Sequence, residues 1–441
     1  MDFAKLKASL REVSPVGARG RVLSVTGVCL RATMPGVRLG DVLSVSRVRL
    51  GSGSPLVTPL LAEVVGFHGG EVVAMPLGTM EGVGPDDEVE STGYPLRVRV
   101  GPELLGRVVD GLGRPIDGRE LTFAAPLYAN VGAEPPPPLS RRPVDRIFRT
   151  GVRVIDGLCT LGEGQRVGLF AGSGVGKSTL LGAIARHAAA DVVVVALVGE
   201  RGREVGEFIE HSLGEEGLKR SIVVVATSDV SPLERLRSAE VATAYAEHFR
   251  DQGARVLLLL DSITRYARAS REVGLAVGEP PARRGYPPST FALLPRLLER
   301  AGQSARGSMT ALYTVLIEGG DMEEPIADEV RGILDGHIVL DRAVAERGRY
   351  PAVNVPASLS RVMSRIVTPE HDRAAKKVRA LISVREAKRD LVALGAYAKG
   401  ADLILDEALA KEERIERFLA QSPDLAETES ATLEALARAV G

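Results

Sequence analysis

The chain has 441 residues, too many for one compact domain and enough for two or three. Its 45% apolar content is that of an ordinary globular protein, and a net charge of −1 argues against a dominant nucleic-acid-binding field, though not against a local basic patch. Two cysteines, Cys29 and Cys159, lie far apart without metal-ligand spacing and read as reduced thiols rather than as a disulfide or a zinc site.

The start, Met1-Asp-Phe-Ala-Lys-Leu-Lys, has no apolar stretch behind a basic one, so no signal peptide is expected. From about Gly17 to about Glu90, β-rich stretches such as Arg21-Val-Leu-Ser-Val, Asp41-Val-Leu-Ser-Val and Glu71-Val-Val-Ala-Met alternate with glycines. Short strands at this spacing predict a small β-barrel or sandwich. The segment from Gly106 to Gly118 is rich in turn residues and reads as a loop. Pro135 to Pro138 read as a stiff connector. From about Arg149 to Val355, strand-like apolar runs alternate with helical patterns, which predicts a parallel sheet flanked by helices. The longest runs, Val192 to Val198 and Val256 to Leu260, are too short to cross a bilayer and read as buried parallel strands. Any membrane association would then come through a partner or a surface patch. After about Thr368 the pattern is helical, notably Ala374 to Leu394 and Ala401 to Leu419. The expected division is residues 1–92, 93–367 and 368–441: a β-domain, an α/β core and a helical domain.

The strongest local signal is Val167-Gly-Leu-Phe-Ala-Gly-Ser-Gly-Val-Gly-Lys-Ser-Thr. An apolar strand runs into a glycine-rich loop and then into a helix, the setting in which a P-loop is credible. Backbone N–H groups of Gly172, Ser173, Gly174, Val175 and Gly176, with Thr179 beyond, would turn around phosphate oxygens, and the helix N-terminus adds partial positive charge. Lys177 is spaced to reach the β- and γ-phosphates and the Ser178 hydroxyl to ligate Mg²⁺. Ala171 stands where the pattern has its first glycine, which requires a negative φ there.

Arg255-Val-Leu-Leu-Leu-Leu-Asp261 is a buried strand ending in an acid, on the ligand side of a parallel sheet. Asp261 suits Mg²⁺ support; capping the next helix is the plainer alternative. After another apolar strand comes Gly199-Glu-Arg-Gly-Arg-Glu204. A water attacking a γ-phosphate needs an acceptor, and Glu200 is the candidate base, with Glu204 able to hold a metal-bound water. A solvated charged turn would explain the same spacing.

The strings Gly-Glu-Arg-Gly-Arg-Glu, Gly285-Tyr-Pro-Pro-Ser and Tyr350-Pro-Ala-Val-Asn, followed by Ser360-Arg361, resemble the catalytic subunits of rotary ATPases. Together with Gly111-Leu-Gly-Arg-Pro-Ile-Asp-Gly, Gly278-Glu-Pro-Pro-Ala-Arg-Arg and Asp321-Met-Glu-Glu-Pro-Ile-Ala-Asp-Glu-Val, they most resemble type III secretion ATPases, including the flagellar export ATPase. The resemblance runs from the β-domain to at least Asp402. It implies a RecA-like P-loop core with an N-terminal β-barrel and a C-terminal helical domain, hydrolysing ATP with Mg²⁺. It further implies Glu200 as general base with Arg201 beside it, Ser178, Glu204 and Asp261 around the metal, Tyr350 stacked on adenine, and Arg361 as an arginine finger reaching a neighbouring subunit. A surface ion pair would explain Arg361 as well.

The partners implied are further copies of the chain in a homohexamer, a central stalk protein, a peripheral stator or regulator, an export gate and chaperone–substrate complexes, with no nucleic acid. The implied location is cytoplasmic, under the inner membrane. The injectisome branch is favoured over the flagellar one by the Gly278 and Asp321 strings. A proton-translocating ATP synthase subunit, an RNA helicase and an inactive ring subunit are the alternatives. Where rotary catalytic subunits carry a second adenine-facing aromatic after the Gln of Arg417-Phe-Leu-Ala-Gln, this chain has Ser422-Pro423-Asp424, which implies a more open pocket. By the same resemblance, the arginines of Pro281 to Ser289 would form a positive collar on the inner wall of the ring.

Overall fold

A computed structural model describes residues 18–46, 59–125 and 127–441. The stretch read for a signal peptide lies outside them. The first strands are β1 (Arg19–Thr26), β2 (Cys29–Thr33), β3 (Asp41–Ser46), β4 (Leu60–His68), β5 (Glu71–Pro76) and β6 (Glu88–Pro95). They close into an antiparallel barrel of order β1-β2-β5-β4-β3-β6. Alternate residues such as Val22, Leu30, Ala32, Leu43, Val45, Ala62 and Val64 fill its interior, as the period of two requires.

The core sheet is built from β7 (Arg107–Asp110), β8 (Arg166–Ala171), β9 (Val192–Glu200), β10 (Ser221–Thr227), β11 (Arg255–Asp261), β12 (Ser308–Leu316), β13 (Gly336–Leu340) and β14 (Leu359–Ser360). Their order is β14-β13-β8-β12-β11-β9-β10-β7, and β7 to β13 run parallel. Val192 to Val198 and Val256 to Leu260 are completely covered, which is why both read as unbroken apolar runs. Parallel strands need crossovers, and helices supply most of them: α1 (Lys177–His187) after β8, α2 (Pro232–Asp251) after β10, and α3 (Ile263–Ala276) with α4 (Pro288–Leu298) after β11.

The reading of Gly106 to Gly118 as a loop is corrected at its start. Arg107–Asp110 is the edge strand, paired in parallel with Ile222 to Val225, and the turn follows it. Arg107 ties the turn back to this edge: its guanidinium lies 2.7 and 2.8 Å from the two oxygens of Asp117 and also donates to the Arg119 and Glu120 carbonyls.

The C-terminal part has α5 (Pro369–Ala387), α6 (Leu403–Ala410), α7 (Glu412–Leu419) and α8 (Glu429–Val440). The expected helix to Leu394 breaks at Lys388, and the one from Ala401 to Leu419 is two helices meeting at Lys411. Among the described residues no helix is long and apolar enough to cross a membrane.

Candidate active site

The carboxyl ends of β8, β9 and β11 meet at one cleft of about 1140 Å³, lined by Gly172 to Thr179, Glu200, Arg201, Glu204, Asp261 and Arg265. Ala171 ends β8 in full register with Leu316 and Leu340, so its backbone is extended and the missing glycine costs nothing. The turn that follows needs left-handed backbone at Gly174 (φ 77°) and Gly176 (φ 86°), where a side chain would be strained. Lys177 opens α1, and Ser178 and Thr179 are exposed to the cleft at the helix N-terminus.

Glu200 is the last residue of β9 and is 6% exposed. The register of β9 against β10 slips between Val198 and Glu200, with Gly199 at φ 68°. This bulge re-aims the Glu200 side chain at the strand end. Arg265 of α3 holds it there, with Nη2 3.0 Å from Glu200 Oε2 and Nη1 donating to the Gly199 carbonyl. Burial foremost, then a hydrogen bond with Glu204 and the nearby Asp261 charge, push the Glu200 carboxyl up to about 7. The same hydrogen bond foremost, with Arg201 nearby, draws Glu204 down.

Asp261 ends β11 and is 4% exposed. It does not cap α3; the Ser262 hydroxyl does, accepting from Arg265 N at 3.3 Å. The Lys177 ammonium donates to both Asp261 oxygens and stands 3.7 Å from Glu200 Oε1. The Thr314 hydroxyl of β12 adds a bond of 2.6 Å to Asp261 Oδ1.

Thus Lys177, Ser178, Glu200, Glu204 and Asp261 converge. Arg201 lies at the rim, largely exposed and 3.6 Å from Glu204. Arg361 does not join them: it is exposed, outside the cleft lining, with Nη2 3.5 Å from the Arg331 carbonyl. Arg265 and Thr314 were not singled out from the sequence. Arg265 lies one helical turn after Asp261, which alone is an unremarkable spacing, and Thr314 is a lone hydroxyl in an apolar strand.

A second pocket of about 340 Å³ adjoins the P-loop, lined by Gly176, Thr179, Tyr350, Gln421, Pro423 and Leu425 among others. Tyr350 is about half exposed, with its ring against Gly176. The Pro423 carbonyl is held from α1, at 2.9 Å by Arg186 Nη2 and 3.1 Å from His187 Nε2. Gln421 Oε1 accepts from Arg153 N at 2.7 Å, and both Nε2 protons are committed, to the Gly151 and Leu425 carbonyls.

Residues 151–360 match the nucleotide-binding domain of the ATP synthase alpha/beta family, residues 22–93 its β-barrel domain, and residues 367–438 the C-terminal domain of the type III secretion ATPase EscN. A type 3 secretion system ATPase of Xanthomonas euvesicatoria is 51% identical over 96% of this chain and 94% of its own length. A flagellum-specific ATP synthase of Bacillus subtilis is also 51% identical, over 92% of this chain and 91% of its own. The assembled EscN ATPase of enteropathogenic E. coli superposes with a TM-score of 0.89 at 45% identity, covering 96% of this chain and 100% of that one. EscN in complex with its central stalk EscO superposes with a TM-score of 0.87, at the same identity and coverage.

Barrel, P-loop core and helical domain in this order define an ATP-hydrolysing enzyme built on the ATP synthase alpha/beta plan. Within that plan, the chain belongs to the type III secretion ATPase family.

Proposed function

We propose that the chain works as a homohexameric ring that hydrolyses MgATP to release and unfold chaperone-bound substrates at a type III export gate, in an injectisome rather than a flagellum. The observation that carries this reading is the Lys177–Glu200–Asp261 cluster poised over an intact P-loop, in a chain whose Arg361 lies outside its own cleft. Relatives named as type 3 secretion system ATPases and as flagellum-specific ATP synthases match equally well, so the choice of branch rests on the Gly278 and Asp321 strings.

ATP would lay its phosphates along the Gly172 to Thr179 backbone and its base against Tyr350, with Pro423 on the loop opposite. Ser422-Pro423-Asp424 in place of an aromatic, and a Gln421 whose two Nε2 protons are already committed, favour loose selection of the base. Lys177 would leave the carboxylates for the β- and γ-phosphates. Glu200, fixed through Oε2 by Arg265, would orient the attacking water and take its proton. Arg201 would steady Glu204 at the rim. Arg361 would reach the next subunit's γ-phosphate, where a fixed guanidinium stabilises the transferring phosphoryl group and ties hydrolysis to assembly.

The donor set suits Mg²⁺: the Ser178 hydroxyl and the Asp261 and Glu204 carboxylates are hard oxygens. Mg²⁺ characteristically keeps waters and shares phosphate oxygens, so one or two carboxylates with a hydroxyl suffice to hold it. When bound, Mg²⁺ would be held by Ser178, Asp261 and Glu204 and would supply charge to offset that developing on the transferring phosphoryl group.

EscN has been solved with a central stalk, and a comparable stalk is proposed here, alongside a stator or regulator and the export gate. The proposed inner-wall collar would be less positive than the sequence implies, because Arg283 lies 3.4 Å from Asp328 and Arg284 3.6 Å from Asp321. The membrane would be reached through these partners.

Hydrolysis measured alone, with a cognate stalk protein or export chaperone, and with single-stranded RNA tests the reading. Stimulation by the protein partners and indifference to RNA is expected. Stimulation by RNA alone would overturn it in favour of a helicase.

A further inference from the structure

Strand β12 lies between the P-loop strand and the Asp261 strand. Thr314 is paired with Leu169 on one side, and Tyr313, just before it, with Leu260 on the other. This register sets Thr314 beside Asp261 in the middle of the sheet. Ser308 to Val315 are fully covered, and a hydroxyl in such a place must find a partner. Thr314 Oγ1 lies 2.6 Å from Asp261 Oδ1 and 3.3 Å from the Leu260 carbonyl. A hydroxyl has one proton to give, and the shorter approach to the charged oxygen assigns it to the carboxylate.

Among the described residues, the other donor to that carboxylate is the Lys177 ammonium. The two differ in kind. Lys177 ends a flexible stem at the cleft floor and has to give up Asp261 when it turns to a phosphate. Thr314 is fixed by a buried strand on both sides and by its branched Cβ, which limits χ1. Once Lys177 has moved away, Thr314 is the donor that stays.

We infer that Thr314 is a positioning residue for the hydrolytic reaction. Its hydroxyl keeps the Asp261 carboxylate in one orientation while Lys177 transfers to the nucleotide, so that the acid is already aimed when Mg²⁺ arrives with ATP. The inference rests on the reading of Asp261 as the acid that supports Mg²⁺.

The test is the affinity of the purified protein for a methylanthraniloyl-labelled ADP, measured by fluorescence with Mg²⁺ and with excess chelator. Wild type, Thr314→Val, Thr314→Ser and Asp261→Asn are compared. Thr314→Val keeps the volume and removes the donor. It is expected to reduce the tightening that Mg²⁺ brings by about tenfold, the scale of one lost hydrogen bond to a charged group, while affinity in chelator stays unchanged. Thr314→Ser is expected to restore the Mg²⁺ response. Should Thr314→Val fail to fold, Thr314→Cys, a much weaker donor, is read by the same criterion. A full Mg²⁺ response without the hydroxyl, or an equal loss with and without Mg²⁺, overturns the inference. If Asp261→Asn also keeps the full response, it is the reading of Asp261 that fails.

Discussion

At the residue scale, the catalytic proposal turns on Glu200. Its backbone is set by a bulge that needs Gly199, and its carboxylate by an arginine from a different element. A base works best when its pKa lies near the working pH. Burial moves Glu200 toward that range, to about 7. Replacing it by Gln keeps the shape and removes the proton acceptor. Glu200→Gln is expected to bind ATP as wild type does and to turn over about two orders of magnitude more slowly. Nucleotide binding and steady-state phosphate release measured on the same preparation check this. Near-normal turnover by the folded variant would take Glu200 out of the base role. Lys177→Ala should instead weaken binding, since the lysine is placed for the phosphates.

At the element scale, the edge of the core sheet gives a prediction with a defined pH dependence. Hydrogen bonding from Arg107, foremost, holds the Asp117 carboxyl well below the usual carboxylate range. The sign follows from linkage. A depressed acid contributes stability that is fully present above its unfolded pKa of about 3.9 and is lost as pH falls toward the folded value. Asp117→Asn is therefore expected to lower stability by about 1–3 kcal/mol at pH 7, the scale of a broken hydrogen bond to a charged group. The gap between the urea midpoints of wild type and variant should narrow as the pH falls below about 4. A constant gap would mean that the ionised pair contributes nothing specific.

This edge also marks the limit of what the sequence discloses. The phosphate loop was legible because strand, glycines and helix are consecutive and local geometry decides them. Glu200 and Asp261 were legible because each ends an apolar run, and parallel strands expose their carboxyl ends to ligands. The four-residue strand Arg107–Asp110 was hidden among turn residues, and only its pairing with Ile222 to Val225 makes it a strand. Arg265 and Thr314 become meaningful through register and helix packing across more than fifty residues, which no local spacing carries. The break at Lys388 likewise lies in a segment whose composition favours helix throughout.

At the scale of the whole molecule, the barrel and helical domains are both tied to the core beside functional elements. Glu63 of the barrel pairs with Arg237 of α2, at 2.8 Å through Nε, and α2 follows the strand that ends next to Glu200. In the helical domain, Gln421 and Glu427 bind Arg153, and Pro423 closes the pocket beside Tyr350. Each domain can thus bear on the cleft. Arg361, the proposed arginine finger, lies outside its own subunit's cleft. The central claim, that hydrolysis is completed by a neighbour, is tested most directly by mixing. Lys177→Ala and Arg361→Ala subunits, each expected to be inactive alone, are co-assembled and the ATPase rate of the mixed rings is measured. Mixed interfaces can pair an intact phosphate loop with an intact finger, so a partial return of activity is expected, rising with protein concentration. Well-formed mixed rings that stay inactive would contradict the account.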